Sequence, residues 1–188
     1  CAVTEKLMRI FYLSLISGFL SYLSVSLPRL LSRLYPLSDD VLLLFPGLLF
    51  CLFILLPLAK DSSHRGFRWA GLIVASVTAW YIAVSIGIQA LPMSDRTPVI
   101  SVGLSGSVGV LILSVTSRYL VPINIKLAST LSALLVGFIG GCIIGMAVAQ
   151  PRGSLAGESL YLVGFVFWQM SVAVALFHRS ASLKTRKI

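Results

Sequence analysis

The sequence predicts an all-α integral membrane protein, a bundle of six transmembrane helices whose N- and C-termini both lie in the cytoplasm. Its 188 residues are 57% hydrophobic and only 11% charged, whereas about 25% of the residues in a soluble domain are charged. The apolar residues form six stretches, each near the roughly 20 residues that a helix needs to cross a bilayer. The basic residues are concentrated in the connections on one side of these stretches, and such a bias orients membrane helices.

The six predicted spans make one membrane domain over residues 1–188. They cover approximately 8–27, 41–59, 69–91, 98–117, 128–150 and 159–178. Short turns with breaking or charged residues separate them. In the first connection, leucines on one face and Arg29 and Arg33 on the other predict a short amphipathic helix at about 27–36, lying in the membrane interface.

The distribution of basic residues predicts the orientation. With the N-terminus inside, the inner segments hold Lys6, Arg9, Lys60, Arg65, Arg68, Arg118, Lys126, Arg179, Lys184, Arg186 and Lys187, and the outer loops hold only Arg29, Arg33, Arg96 and Arg152. Four outer carboxylates balance the outer arginines, so the net charge of +9 faces the cytoplasm. From Lys60 onward these inner residues form a basic face suited to lipid headgroups or a cytoplasmic protein partner. No aromatic platform accompanies them, which argues against nucleic acid.

Span 5 carries a stripe of small residues. Its members recur every fourth residue, and they are Ser129, Ala133, Gly137, Gly141, Gly145 and Ala149. Residues four apart lie above one another on a helix, and in lipid such a bare stripe allows close helix packing. The stripe therefore predicts a packing seam at the centre of the bundle. Ser17 and Ser21 on span 1 and Gly103 on span 4 mark the expected partners.

A shift of 88 residues superimposes spans 1–3 on spans 4–6 without gaps, and it places Trp80 on Trp168 and Ser17 on Ser105. Three spans in each half give the halves opposite orientations. The match raises the possibility of an inverted repeat, the plan of many transport folds.

The polar residues within the spans are neutral. No acidic, basic or histidine residue occupies the central part of a predicted span, where ionisable groups usually mark ion pathways. Gln169 is the best candidate for a polar contact, because an amide at that depth needs a partner. Ser105 is the second, since Gly103-Leu104-Ser105-Gly106 resembles the nucleophile motif of rhomboid intramembrane proteases.

That resemblance implies a histidine from span 6 as the activating base. The two histidines, His64 and His178, are both expected at the cytoplasmic side, too far from Ser105 for a hydrogen bond. We therefore expect no catalytic residue. Neither histidine has a second metal ligand at suitable spacing, and Cys51 and Cys142 are expected to pack as small apolar residues, so we expect no metal and no cofactor. Cys1 is open to three interpretations: a native residue, a lipidated one or an appended one.

Three functions remain open. The first is a non-enzymatic anchor, assembly or sensor subunit of a larger complex in the bilayer of a bacterial inner membrane. It would contact other membrane subunits or further copies of itself through the seam, and a cytoplasmic partner through the basic face. The second is a non-energised transporter or channel subunit for a small solute, since size and topology are similar to the substrate-binding membrane subunits of energy-coupling-factor vitamin transporters. An intramembrane enzyme is the third, disfavoured by the missing acid–base groups.

Overall fold

The computed structural model describes residues 2–31, 44–58, 65–90, 98–120, 127–151 and 154–177. Regular structure in these ranges is entirely helical. The helices are α1 (Ala2–Leu31), α2 (residues 45–58), α3 (Arg65–Ala90), α4 (Pro98–Leu120), α5 (Leu127–Val148) and α6 (Leu155–Phe177). Five of them, all but α2, are long and apolar enough to cross a membrane. The regular structure of the described ranges is therefore helical, and the chain has the character of a multi-pass integral membrane protein.

Helix α2 is the shortest of the six and contains a π-helical turn. A helix over residues 45–58 spans about 21 Å at 1.5 Å per residue, against roughly 30 Å of hydrocarbon. The remainder of the predicted span at 41–59 lies outside the described residues. The π turn, Cys51–Leu55, ends where the Leu56 N–H donates to the Cys51 carbonyl. The next residue is Pro57, whose ring would clash with a carbonyl four residues back in an α-helix. A wider turn avoids that clash.

The predicted interfacial helix at 27–36 does not begin as a separate element. Helix α1 continues through Pro28 to Leu31, and the residues after Leu31 lie outside the described ranges. Pro28 fits the backbone angle of a helix, but its ring removes one N–H donor and crowds the carbonyl four residues back. Membrane helices tolerate such a proline when neighbouring groups satisfy the freed carbonyl, and α1 continues past it.

The six helices form a ring in chain order. Each packs on its neighbours in sequence, and α6 packs back on α1 to close the ring. The α4–α5 interface is the most extensive. Helices α4 and α5 run antiparallel, since Gly106 lies against Gly137 and Val102 against Gly141. Helices α1 and α6 also run antiparallel, since Gly18 lies against Val166 and Tyr22 against Glu158.

This ring excludes the inverted repeat. A two-fold axis in the membrane plane acts on the projected helices as a mirror. An inverted repeat would exchange α1 with α4, α2 with α5 and α3 with α6. On a six-membered ring, however, a mirror that exchanges α1 with α4 exchanges α2 with α3. A two-fold axis along the membrane normal fails as well, because α1 and α4 run in opposite directions. Trp80 and Trp168 do come together, with ring centroids 5.7 Å apart, but as neighbours in a core and not as symmetry mates.

Aromatic side chains fill the middle of the ring. Trp168 lies 5.8 Å from Phe50 and 5.7 Å from Trp80, and Trp80 lies 5.5 Å from Phe165, measured between ring centroids. Beside them a cavity of about 10 Å³, room for a single water molecule, is bounded by Gly47, Ser76, Trp80, Trp168 and neighbouring apolar residues. Large apolar side chains such as Leu135 and Val74 lie on the outside. The interior is thus packed, and the outer surface is suited to lipid.

Candidate binding interface between the first and last helices

The middle of the small-residue stripe of α5, at Gly137 and Gly141, packs against α4 of the same chain. Ser129, Ala133, Gly137, Gly141 and Gly145 are buried, and Ala149 lies exposed beyond the end of the helix. A Cβ atom at Gly141 would overlap the Val102 carbonyl oxygen of α4, and one at Gly106 would come within 2.5 Å of the Gly137 carbonyl oxygen. The two backbones are therefore in direct contact, and this length of the stripe is closed to other chains.

The expected partners of the stripe are divided between two interfaces. Gly103 lies against α5, where an added Cβ would come within 2.6 Å of the Cys142 sulfur. Ser21 instead accepts a hydrogen bond from Gln169 of α6. Ser105 is buried, and its hydroxyl donates to the Val102 carbonyl of its own helix at 2.8 Å. His64 and His178, the two histidines that were weighed as its base, lie outside the described residues.

The buried face of α1 is a line of serines. Ser14, Ser17 and Ser21 are each completely buried, since residues spaced three or four apart share one face of a helix. Gly18 beside them brings the backbones together, because a Cβ there would lie 2.6 Å from the Val166 Cα atom of α6. The interface of α1 with α6 is therefore narrow and lined with hydroxyl groups.

Gln169 inserts its amide into this serine line. The residue is completely buried, and its Nε2 donates to the Ser21 hydroxyl at 2.7 Å. Side chains lean toward the start of their helix, which directs Gln169 toward Ser21. Two buried atoms at this level, the Gln169 Oε1 and the Ser17 hydroxyl, have no hydrogen-bond partner within the described residues. Ser14, by contrast, donates to the Ile10 carbonyl at 2.7 Å.

Glu158 holds the same two helices together near the start of α6. Its Oε2 accepts hydrogen bonds from the Tyr22 and Ser26 hydroxyls of α1, each at 3.2 Å. The carboxylate lies in the first turn of α6, where the positive end of the helix dipole favours it. The sequence indicated only an outer charge here. Tyr22 is 136 positions away from Glu158, so no local pattern could have paired them.

Part of the predicted basic face lies at one end of the bundle. Arg65 and Arg68 begin α3 and Arg118 lies in the last turn of α4. These two helix ends meet, because a Cβ at Gly71 would be 3.2 Å from the Leu120 side chain. The other predicted members lie outside the described residues, and they are Lys60, Lys126, Arg179, Lys184, Arg186 and Lys187. Within the described ranges, no three histidine, cysteine or acidic residues gather in a way that could hold a metal ion.

The fold and this interface place the chain in the class of multi-pass α-helical membrane proteins. Comparison with models of known protein families, with curated proteins and with solved structures finds no match. The function must therefore be argued from the residues themselves.

Proposed function

We propose that the chain is a non-enzymatic, membrane-embedded subunit of a larger complex, acting as an anchor, assembly or sensor component. The observation that supports this best is the closed interior. Phe50, Phe165 and Trp168 are at most 3–4% exposed, and with Trp80 they fill the space among α2, α3 and α6. A packed centre suits a subunit that holds its shape for a partner better than it suits a pore.

The proposed subunit crosses a bacterial inner membrane six times, with both termini in the cytoplasm. In this topology the predicted span that contains α2 is the one crossing in addition to the five longer helices. Arg9, Arg68 and Arg118 then lie at the inner end together with the other basic residues of the basic face. The positive-inside rule supports this orientation. Attaching a reporter to the C-terminus that is active only in the cytoplasm tests it, and a signal only from an exported reporter would contradict it.

The proposed partner contacts use surfaces other than the α4–α5 seam, since α4 covers the seam. For a cytoplasmic partner we propose the basic face. Gentle purification from native membranes followed by identification of co-purified proteins provides the test. We expect a partner in fixed stoichiometry that is lost from the R65Q/R68Q/R118Q variant.

The matched control is the variant R9Q, which removes an exposed charge at the same end of the bundle but on α1, across the ring from the α3–α4 junction. It should keep the partner. Recovery of the wild-type chain alone, with no partner under several mild detergents, would contradict the subunit proposal.

A second candidate, a transporter or channel subunit for a small solute, is favoured by one observation. The unpartnered Gln169 Oε1 and Ser17 hydroxyl lie buried near the middle of α6 and α1, as convergent polar groups of a solute site would. Reconstitution of the purified chain in liposomes distinguishes the two candidates. Solute uptake by the chain alone supports the second candidate and overturns the first.

A further inference from the structure

We infer that the serine line of α1 and the amide of Gln169 form a binding site for a small uncharged molecule that carries a hydroxyl or carboxamide group, water being the smallest such molecule. The second candidate function uses the same two unpartnered atoms. The inference adds the chemical class of the molecule that they bind, whether or not the chain transports it. It depends on two features, a row of buried hydroxyls and a buried amide that donates to one of them through Nε2 while its Oε1 has no hydrogen-bond partner within the described residues.

Two buried polar atoms without a hydrogen-bond partner are the first evidence for the site. Within a bilayer no bulk water reaches a buried polar group, and leaving one unpaired is unfavourable. Gln169 Oε1 and Ser17 Oγ are both in this position. Ser17 lies one helical turn from Ser21, the residue to which Gln169 donates its hydrogen bond. The Cβ atoms of the two serines are therefore about 5–6 Å apart, and the proposed molecule bridges the two unpartnered atoms.

The chemistry of the two atoms defines the ligand. Gln169 Oε1 accepts a hydrogen bond, and the Ser17 hydroxyl can donate or accept one. If the amide were turned over, the Ser21 hydroxyl would donate to its oxygen and the free atom would be an N–H donor. A hydroxyl or a carboxamide both donates and accepts, so it satisfies either orientation. No charged side chain touches Gln169 or Ser17 among the described contacts, so the site favours an uncharged ligand.

The packing limits its size. Gly18 brings α1 so close to α6 that even a methyl group would clash with the Val166 backbone. The ligand is therefore a molecule of a few heavy atoms, and it enters as α1 and α6 separate slightly.

The chain offers a direct test, because it contains three glutamines, Gln89, Gln150 and Gln169. The full chain is labelled with ¹⁵N at glutamine and placed in nanodiscs, and the side-chain amide signals are recorded during titration with acetamide, glycerol and, as a charged control, acetate. Gln89 and Gln150 are exposed and serve as internal controls. We expect acetamide or glycerol to shift the Gln169 signal alone. A cross-peak between the Gln169 amide and water before any addition identifies water as the occupant and also supports the site.

Variants separate the site from general packing. Ser14→Ala, on the same face but with its hydroxyl already bonded, should leave the titration unchanged. Ser17→Ala should weaken acetamide binding at least tenfold or abolish the water cross-peak. The inference is overturned if the Gln169 signal shows neither a water contact nor a selective shift. It is equally overturned if Ser17→Ala and Ser14→Ala behave alike.

Discussion

The α4–α5 and α1–α6 interfaces both bring two helices close together, but the residues that make the contacts differ. Between α4 and α5, glycines bring two backbones into contact, and Gly106, Gly137 and Gly141 leave no space for any side chain. Between α1 and α6, one glycine does this at Gly18, and side-chain hydrogen bonds join the helices on either side of it. The first interface has a single good geometry, because moving either helix loses many close contacts.

The second interface is held by fewer and replaceable contacts. Hydrogen bonds between membrane helices contribute on average about 0.6 kcal/mol each, and hydroxyl groups can exchange one partner for another, including water. Within the described residues α1 also packs less extensively on α6 than α5 does on α4. We therefore expect α4–α5 to be the rigid part of the ring and α1 to be the helix that can move.

The variant Gly141→Ala should have the largest effect of the substitutions considered. The new methyl group overlaps the Val102 carbonyl, which belongs to a backbone and cannot turn aside, so we expect a loss of about 1–3 kcal/mol of stability, with Gly141→Leu preventing folding. Reversible unfolding in mixed micelles measures it. Gly66→Ala is the matched control, because nothing lies within 4 Å of a Cβ there. An equal effect of the two variants would show that the α4–α5 contact is not tight.

Gly18→Ala tests whether α1 is as fixed as α5. Its methyl group would lie 2.6 Å from the Val166 Cα atom, but α1 can shift outward, so we expect a smaller loss of about 1 kcal/mol. Hydrogen exchange should increase in α1 and stay unchanged in α4 and α5. A loss as large as that of Gly141→Ala, with exchange increased throughout, would contradict the difference between the two interfaces.

The sequence predicted the first of these interfaces better than the second. A stripe of small residues at a spacing of four is a local pattern, and the structure buries Gly137 and Gly141 and places Gly103 against α5. The pattern does not show whether a helix of the same chain or of another subunit packs on the stripe. The expectation of a contact with other subunits therefore had no support beyond the stripe itself. The structure shows α4 in that position.

The contacts of α1 could not be predicted, because they join residues far apart in sequence. Gln169 was identified because a lone amide at mid-depth is conspicuous. Its bond to Ser21 depends on how the ring closes. Ser21 was expected to face span 5, and it contacts α6 instead, because a small side chain does not identify the helix that it faces. Hydropathy indicated the span around α2 correctly as helical but not its π turn, which follows from the position of Pro57.

Tyr22→Phe should weaken the outer part of the α1–α6 interface modestly. It removes one of two hydroxyls that donate to Glu158 Oε2, and since the site is only partly buried we expect about 0.5–1 kcal/mol. Thermal unfolding in nanodiscs measures the loss, and Tyr12→Phe, an exposed tyrosine of the same helix, provides the control. In the background of Glu158→Gln the effect of Tyr22→Phe should shrink, and an undiminished effect would show that the hydroxyl acts elsewhere.

Ser17→Ala should have the smallest effect on stability, within about 0.5 kcal/mol of zero. Whether the variant is more or less stable than the wild type shows whether Ser17 already has a partner between α1 and α6. The substitution removes a buried hydroxyl that has no hydrogen-bond partner within the described residues. If the site is empty, the change relieves the unfavourable burial of that hydroxyl, so its small effect should be stabilising. Ser76→Ala is the contrasting variant, because the Ser76 hydroxyl donates to the Gly47 carbonyl of α2 at 2.7 Å and its loss should cost about 1 kcal/mol. If Ser17→Ala destabilises the chain as much as Ser76→Ala in the absence of added solute, then Ser17 already has a partner. A water molecule held between α1 and α6 is the simplest candidate, and the two helices would then be joined as firmly as α2 and α3.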